Sequence, residues 1–357
     1  MKFVHIADMH LDANFNSLNN IESLPEKRRL EQRKIMRKII DYIKENNIEY
    51  FFIAGDFYEQ EYIRKSTIEY INKLFEEIPN TKIFITPGNH DPLLKNSFYN
   101  TYKFASNVHI FGKNIEKIEE KEVNIYGFGF TDFYCKNSEI ENIKIDDKNK
   151  LNVLIAHGSL DGGNDDYREY NPISKKKINK LGFDYIALGH IHKKTYNDEI
   201  DQRIVYPGST IALGFDELGS HGMIVGEFIN KDLSLEFIKL DDREYKEVEL
   251  DITNMSSILE IVQEIEELNL NEKNFYKIIL IGKRNFKIDL KEIRKLIDND
   301  NIVKLKDNTK ISYNINEIAM QKDIKGIFVK KVLEKYDANI IDKETMEKVI
   351  EYGLEVL

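Results

Sequence analysis

Five of the chain's eight histidines, His10, His90, His157, His190 and His192, stand in short motifs at the ends of apolar runs. HIADMH (5–10) carries Asp8 and His10, AGDFYE (54–59) carries Asp56, and TPGNHDP (86–92) carries Asn89 and His90. IAHGSLDG (155–162) carries His157, and LGHIHK (188–193) carries His190 and His192. Asp8, Asp56, Asn89 and the imidazoles of His10, His157, His190 and His192 make a nitrogen and oxygen donor set without sulfur. Such a set suits Mn²⁺, Fe²⁺ or Zn²⁺. These donors are too many for one ion and suit two ions that share a carboxylate, with Asp56 at the end of a central strand as the natural bridge. Ions about 3.5–4 Å apart can hold a bridging hydroxide and clamp the oxygens of an in-line phosphoryl displacement. In an extended segment, residues two apart point the same way with Cα atoms about 6.6 Å apart. His190 and His192 are therefore expected to serve one ion each. Taken singly, each motif has a plainer reading: GNHD as a turn, AHG as packing, H-x-H as a strand pair. Their joint occurrence at five strand ends favours the metal. His5, His109 and His221 lie outside the pattern and read as structural.

The elements that must position these residues alternate. Apolar runs at 2–7, 49–54, 81–86, 152–157 and 183–189 read as buried strands, and helix-period segments fit 25–46, 63–78 and 174–181. That order predicts a layered α/β core with both sheet faces covered. In open α/β sheets, ligands bind outside the carboxyl ends of the strands. RIVYPG, GMIVGEFI and LSLEFIKL read as further strands closing this domain. All six prolines lie at or before Pro207 and 15 of 18 glycines at or before Gly226, which places a boundary in KLDDREYKEV (239–248). Beyond it, helix 256–268, strand 275–282, helix 289–299 and strand 301–306 suggest a small α+β domain, followed by helical segments 316–336 and 343–356. The expected domains are 1–241, 246–312 and 316–357.

The bulk numbers narrow the class. The chain has 357 residues, 41% hydrophobic and 32% charged, with net charge -10, so nothing in it advertises a whole-chain polyanion binder. One cysteine, Cys135, excludes an intrachain disulfide and a thiolate metal cage, and a cytoplasmic home is expected. Asp8 interrupts the amino-terminal apolar run, so no secretory signal is read there. No apolar run reaches the length of a membrane span.

The set D-x-H, G-D, G-N-H-D, H and G-H-x-H, in this order over residues 8–192, resembles the calcineurin-like metallophosphoesterase superfamily. HIADMHLD, GNHDP, FDYIALGHIHK and YPGSTIALGFDELGSHG look more narrowly like the SbcD-type DNA repair exonucleases. The last of these stretches, with DDYREYNPIS, is similar to that family's YhaO-like branch. The resemblance implies an α/β fold: a layered metallophosphoesterase β-sandwich flanked by helices, a smaller α+β capping domain and C-terminal helices. It implies that one metal is held by Asp8, His10, Asp56 and His192, and the other by Asp56, Asn89, His157 and His190. Mn²⁺ is the expected ion, with Fe²⁺, Zn²⁺ or Mg²⁺ as alternatives, and a metal-bound hydroxide is the implied nucleophile. His90 would be catalytic without ligating, standing over the scissile phosphate and aiding the leaving oxygen. Asp91 could orient that imidazole. Some family members carry His or Asp three residues after the bridging Asp. This chain has Glu59 there, so no DNA-positioning role is carried over from that position.

Other signals are weaker. The cluster at 26–34 reads as the solvated face of helix 25–46, while Lys193 and Lys194 could meet phosphate and Tyr58 could stack on a base. Ile68, Ile71, Leu74, Phe75 and Ile78 share a helix face that could be core or a homodimer contact. The last helices could pack on their own domain or dock an SbcC-like coiled-coil ATPase. The expected function is hydrolysis of DNA phosphodiester bonds, within a repair complex containing that ATPase. One alternative is a phosphoesterase for nucleotides, cyclic nucleotides or phosphoproteins. Another is a partner-binding subunit ordered by metal without catalysis.

Overall fold

The computed structural model describes residues 1–18, 23–161, 170–197 and 202–357, and divides into two compact units, Met1–Tyr245 and Lys246–Leu357. The first unit runs β1 (Lys2–Ile6), α1 (Leu24–Glu45), β2 (Tyr50–Ala54), α2 (Lys65–Glu76), β3 (Lys82–Thr86), α3 (Phe98–Thr101) and β4 (Val108–Ile110). It continues with β5 (Glu116–Glu119), β6 (Val123–Gly127), β7 (Leu151–His157), α4 (Lys175–Ile178), β8 (Tyr185–Gly189), β9 (Ile204–Val205), β10 (Gly222–Ile229) and β11 (Asp232–Lys239).

Two sheets form a sandwich. In the first, β1, β2, β3 and β4 run parallel, and β10 and β11 extend the β1 edge antiparallel, giving the order β11-β10-β1-β2-β3-β4. In the second, ordered β5-β6-β7-β8-β9, β6 to β9 run parallel. Strand alternation sorts side chains between layers. Phe3, Phe52 and Phe84 point inward to meet Val153, Ile155 and Tyr185 of the second sheet, while Val4, Ile53 and Ile85 point outward beneath α1 and α2. Leu154, Ile186 and Leu188 cover the other outer face with Ile140, Ile173 and Ile178. Each buried aliphatic or aromatic side chain of these layers contributes roughly 1.5–3 kcal/mol of transfer free energy. The result is the expected sandwich with both faces covered.

Several expectations need correcting. Ile68, Ile71, Leu74, Phe75 and Ile78 of the α2 region are all buried in the monomer core, so that face is not free for a homodimer. The basic cluster at the start of α1 is not wholly solvated. Arg28 is fully buried, donates to Asp241 at 2.8 and 3.3 Å and to the Ala212 carbonyl at 2.8 Å, and so ties α1 to the loop after β9 and to the segment after β11. Of the expected 174–181, one helical turn forms, α4, with Ser174 as its N-cap and Asn179 already its C-cap; Gly182 follows at φ 85°.

The second unit holds β12 (Tyr245–Asp251), α5 (Ile258–Glu267), β13 (Phe275–Ile281), β14 (Lys283–Arg284), α6 (Leu290–Leu296), β15 (Ile302–Asp307), β16 (Lys310–Ile311), α7 (Ile315–Ala319), α8 (Ile324–Asp337) and α9 (Lys343–Val356). β12, β13 and β15 form its main sheet. The segment expected to hold the boundary, 239–248, is strand from Tyr245 onward. The helix expected over 316–336 is broken in two, because the Asp323 carboxylate caps a new start by accepting from Gly326 N at 2.9 Å. α8 and α9 share a small core of Val329, Val332, Met346, Ile350 and Leu354. Among the described residues no helix is long and apolar enough to cross a membrane.

Candidate metal centre

The parallel strands of both sheets end on one site. Asp8 and His10 follow β1, Asp56 follows β2, Asn89 and His90 follow β3, His157 ends β7, and His190 and His192 follow β8. The sheets approach each other closely here because the facing residues are small. A Cβ on Gly189 would lie 1.8 Å from the Ala54 carbonyl oxygen. A Cβ on Gly55, at φ 83°, would lie 2.2 Å from His157 Nδ1. Neither position has room for a side chain, and Gly55 also needs the left-handed backbone that glycine adopts without penalty.

Backbone strain accompanies the function-bearing residues. Asp8, His10 and Asp56 all sit near φ 50°, and His190 at φ 103°. Non-glycine residues held this way cost on the order of 1–3 kcal/mol each and persist where surrounding bonds over-determine them. Those bonds are present: His190 donates its backbone N–H to both oxygens of Asp8, at 2.9 and 3.1 Å, and His90 donates its own to Asp56 Oδ1 at 2.8 Å.

Two donor groups result. Asp8, His10, Asp56 and His192 can place one ligand atom each within 4.8 Å of one another, and so can Asp56, His157 and His190. Asp56 belongs to both. Asn89 joins the second, its Oδ1 lying 2.9 Å from His157 Nε2. The hydrogen bonding fits a cation. His10 Nδ1 faces Glu59 at 2.8 Å and His192 Nδ1 faces Glu217 at 2.6 Å, which leaves the two Nε2 atoms as acceptors only 3.1 Å apart. Likewise His157 Nδ1 donates to the Ala54 carbonyl at 3.0 Å, and its Nε2 meets Asn89 Oδ1 and, at 3.3 Å, Asp56 Oδ2. Acceptors aimed at one another in a buried site call for a positive charge between them. An imidazole whose far nitrogen donates to a carboxylate or carbonyl is the usual outer partner of a metal ligand.

Electrostatics agree. Burial alone would lower His192, but the Glu217 bond and the nearby Asp8 outweigh it and hold the imidazolium up to about 10. Burial opposes His157 too, yet Asp56 raises it to about 9. In both, a proton occupies the place a cation would take. His190 falls to about 3, through burial first and the His157 charge second.

His90 is 45% exposed at the mouth, its ring 4.7 Å from His10 and edge-on to it. Asp91 does not orient it, contrary to expectation. Both Asp91 oxygens are taken by the backbone N–H groups of Asp56, Phe57 and Gly88 and by the Tyr99 hydroxyl, at 2.6–3.1 Å, so this buried carboxylate pins the Asp56 turn to the loop after β3. Glu59 meets His90 instead: its Oε2 lies 3.0 Å from His90 Nδ1 while Oε1 holds His10. His10, Glu59 and His90 form a third close group through this bridge. Glu217 is the residue that motif reading missed, and Glu59, noted there only as a departure, takes this bridging place. The signal for Glu217 lay in the GSTIALGFDELGSHG stretch, where Ser209 donates to Glu217 at 2.6 Å and His221 bonds both Ser209 and the Glu217 carbonyl.

The expected DNA contacts fare differently. Tyr58 is fully buried with its hydroxyl 2.7 Å from Ser97 Oγ, so it has no face to offer a base. Lys194 sits over the Phe237 ring, 4.0 Å from its centroid, and Lys193 is exposed; neither lines the cleft. The cleft, of about 670 Å³, opens between His90 and His192 and is rimmed by Glu59, Glu61, Asp216 and Glu217, with no lysine or arginine among its described lining residues. Part of the DDYREYNPIS stretch, residues 165–169, lies outside the described residues.

Comparison with known proteins agrees with this geometry. The chain is 26% identical over 277 residues to the metallophosphoesterase YhaO of Bacillus subtilis, covering 75% of this chain and 67% of that protein. It is 25% identical over 382 aligned positions to the SbcD component of the nuclease SbcCD of Staphylococcus epidermidis, covering 96% and 94%. It is 27% identical over 381 to the DNA double-strand break repair protein Mre11 of Methanocaldococcus jannaschii, covering 99% and 98%. Residues 1–194, which carry every donor described above, match the calcineurin-like phosphoesterase family, and the chain belongs to it.

Proposed function

We propose that this chain is a dinuclear-metal phosphodiesterase acting on DNA, with Mn²⁺ as its working ion, and that it operates as the nuclease subunit of an SbcCD-like complex. The observation that carries the chemistry is the pair of donor groups joined at Asp56 with His90 beside them. Asp8, His10, Asp56 and His192 would hold one ion, and Asp56, Asn89, His157 and His190 the other. Paired divalent ions supply an activated water and neutralise charge on a phosphate. His90, kept protonated by Glu59, is placed to donate to an oxygen of the substrate at the mouth; burial alone would lower it, but Glu59 and Asp56 raise it to about 9. Support for DNA comes from two relatives named as a nuclease subunit and a DNA repair protein, each aligned over nearly its whole length. An ATPase partner suits the exposed Ile324, Ile327, Tyr352 and Val356 of α8 and α9.

A second reading, a phosphoesterase for nucleotides, draws support from the acidic cleft rim, whose described lining residues include none of the lysines or arginines that usually position a phosphate backbone. One experiment separates them. The purified chain and its His90→Ala variant are incubated with Mn²⁺ and end-labelled duplex or single-stranded DNA, and in parallel with nucleotides and an aryl phosphodiester. Release of nucleotides by the parent chain and not the variant is expected. Hydrolysis confined to the small substrates, even after an SbcC-like ATPase is added, would refute the DNA assignment.

A further inference from the structure

The turn after β1 is gripped from the helix side. Gln32 lies on the face of α1 that otherwise buries Leu24, Ile35, Met36, Ile39 and Ile43, and it is fully buried itself. An amide among aliphatic side chains is costly unless its polar atoms find partners. Here they do. Nε2 donates to the carbonyls of Met9 at 3.0 Å and His10 at 2.7 Å, and Oε1 accepts from the Asp12 N–H at 3.1 Å. The reversed amide would set its oxygen against two carbonyls, so the surroundings fix its orientation. A second anchor comes from the start of α2. The buried Asp12 carboxylate accepts from the Arg64 N–H at 3.0 Å and from the Thr67 hydroxyl at 2.6 Å. Along this stretch Asp8, His10 and Asp12 all hold left-handed backbone, at φ 50°, 46° and 62°. None of the three is glycine, so the alternation needs outside bonds to persist.

We propose that Gln32 is a positioning residue of the metal centre, holding His10 in place through the backbone of residues 9–12 without being a ligand. His10 is where such a hold matters most. Its Nε2 stands 3.1 Å from that of His192 and its Nδ1 2.8 Å from Glu59, so one imidazole serves a donor group on one side and the partner of His90 on the other. Releasing the Met9 and His10 carbonyls and the Asp12 N–H lets the turn relax toward ordinary backbone, which swings the His10 ring off both partners. Asn89, His157 and His190 follow or end other strands, and the clamp does not reach them. Its loss therefore separates the two ions. The one shared by Asp8, His10, Asp56 and His192 loosens, while the other keeps its donors. For its ions the inference rests on the dinuclear reading; the clamp on the turn does not.

The test uses the full chain and two readouts. Gln32→Met keeps the side chain's length and the apolar face and removes all three bonds. Ile39→Ala, further along the same buried face of α1, weakens the packing and leaves the bonds to the turn in place. In the metal-free protein, amide hydrogen exchange at residues 9–13 is measured against that of β7. It is expected to be about tenfold faster in Gln32→Met and unchanged, relative to β7, in Ile39→Ala. Mn²⁺ is then added and followed by electron paramagnetic resonance, in which a spin-coupled pair and a single ion give different spectra. With two ions supplied per chain, the parent should show the pair. Gln32→Met should show the single ion, its second affinity weakened roughly tenfold. Ile39→Ala should melt earlier and still show the pair. Gln32→Glu keeps the acceptor for Asp12, loses the donors, and carries the same expectation where Gln32→Met does not fold. Unchanged exchange at 9–13, a pair retained without Gln32, or a pair lost equally in Ile39→Ala overturns the positioning role. Faster exchange in the Gln32 variant, beside a parent that never shows the pair, overturns the dinuclear reading and leaves the clamp standing.

Discussion

Glu59 touches both the proposed acid and a proposed metal ligand, so its replacement tests how the site is wired. Glu59→Gln keeps size and burial, but its single amide oxygen can accept from one imidazole N–H, and its NH₂ then opposes the other. Should His90 lose the partner, its pKa falls from about 9 toward the ordinary 6.5. At pH 8 the protonated fraction would drop from about nine-tenths to about 3%, roughly 30-fold. That figure is an upper bound, because the Asp56 charge remains and the imidazole is 45% exposed, where solvent weakens the shift. The assay is kcat/KM against pH for an aryl phosphodiester at saturating Mn²⁺. The parent should lose activity as pH rises through about 9, and Glu59→Gln should lose it at lower pH, with a smaller deficit at pH 6. Identical profiles, or a deficit equal at all pH values, would refute the coupling of Glu59 to His90.

Two further outcomes follow from the outer partners of the ligands. Glu217→Ala removes the carboxylate held 2.6 Å from His192 Nδ1, and should weaken Mn²⁺ binding by roughly 10–100-fold by calorimetric titration, while His109→Ala, away from the centre, should leave it unchanged. The site's protons predict a crossing of stabilities with pH. His192 and His157 are raised to about 10 and about 9 in the metal-free protein. Their contribution to metal-free stability is therefore complete below about 6.5 and is lost as pH rises through those values. Mn²⁺ must displace the same protons, so its affinity should rise with pH, by up to tenfold per pH unit for each proton released. Melting curves between pH 6 and 10, with Mn²⁺ and with a chelator, should diverge upward; parallel curves would count against ligation by these imidazoles.

Much of the centre was legible because its donors follow strands whose apolar runs are plain, and because a parallel sheet presents all its carboxyl ends to one side. Glu217 was hidden for the opposite reason: it lies in a loop and reaches His192 through tertiary folding that no local period encodes. Tyr58 looked available because it follows the bridging Asp, but Ser97, 39 residues on, claims its hydroxyl. β4 and β5 escaped notice because they are three and four residues long, and β6, VNIYG, because Asn124 and Gly127 break its apolar run. The split between α7 and α8 was readable in principle from Asp323, whose capping role was outweighed by the continuous apolar period around it.

The division of the donors between the two sheets has a consequence for how the chain matures. Asp8, His10, Asp56 and Asn89 come from the first sheet, and His157, His190 and His192 from the second, so neither sheet alone owns a complete set for either ion. During synthesis the first four are made long before the last three, and β10, which completes the order of the first sheet beside β1, comes later still. An ion captured early would hold an open, exchangeable shell, and closing that shell requires the sheets to dock. Ions bound there would act as rivets across the sandwich, and metal retention would become a readout of assembly: a chain that kept its metal through dialysis would have both halves joined.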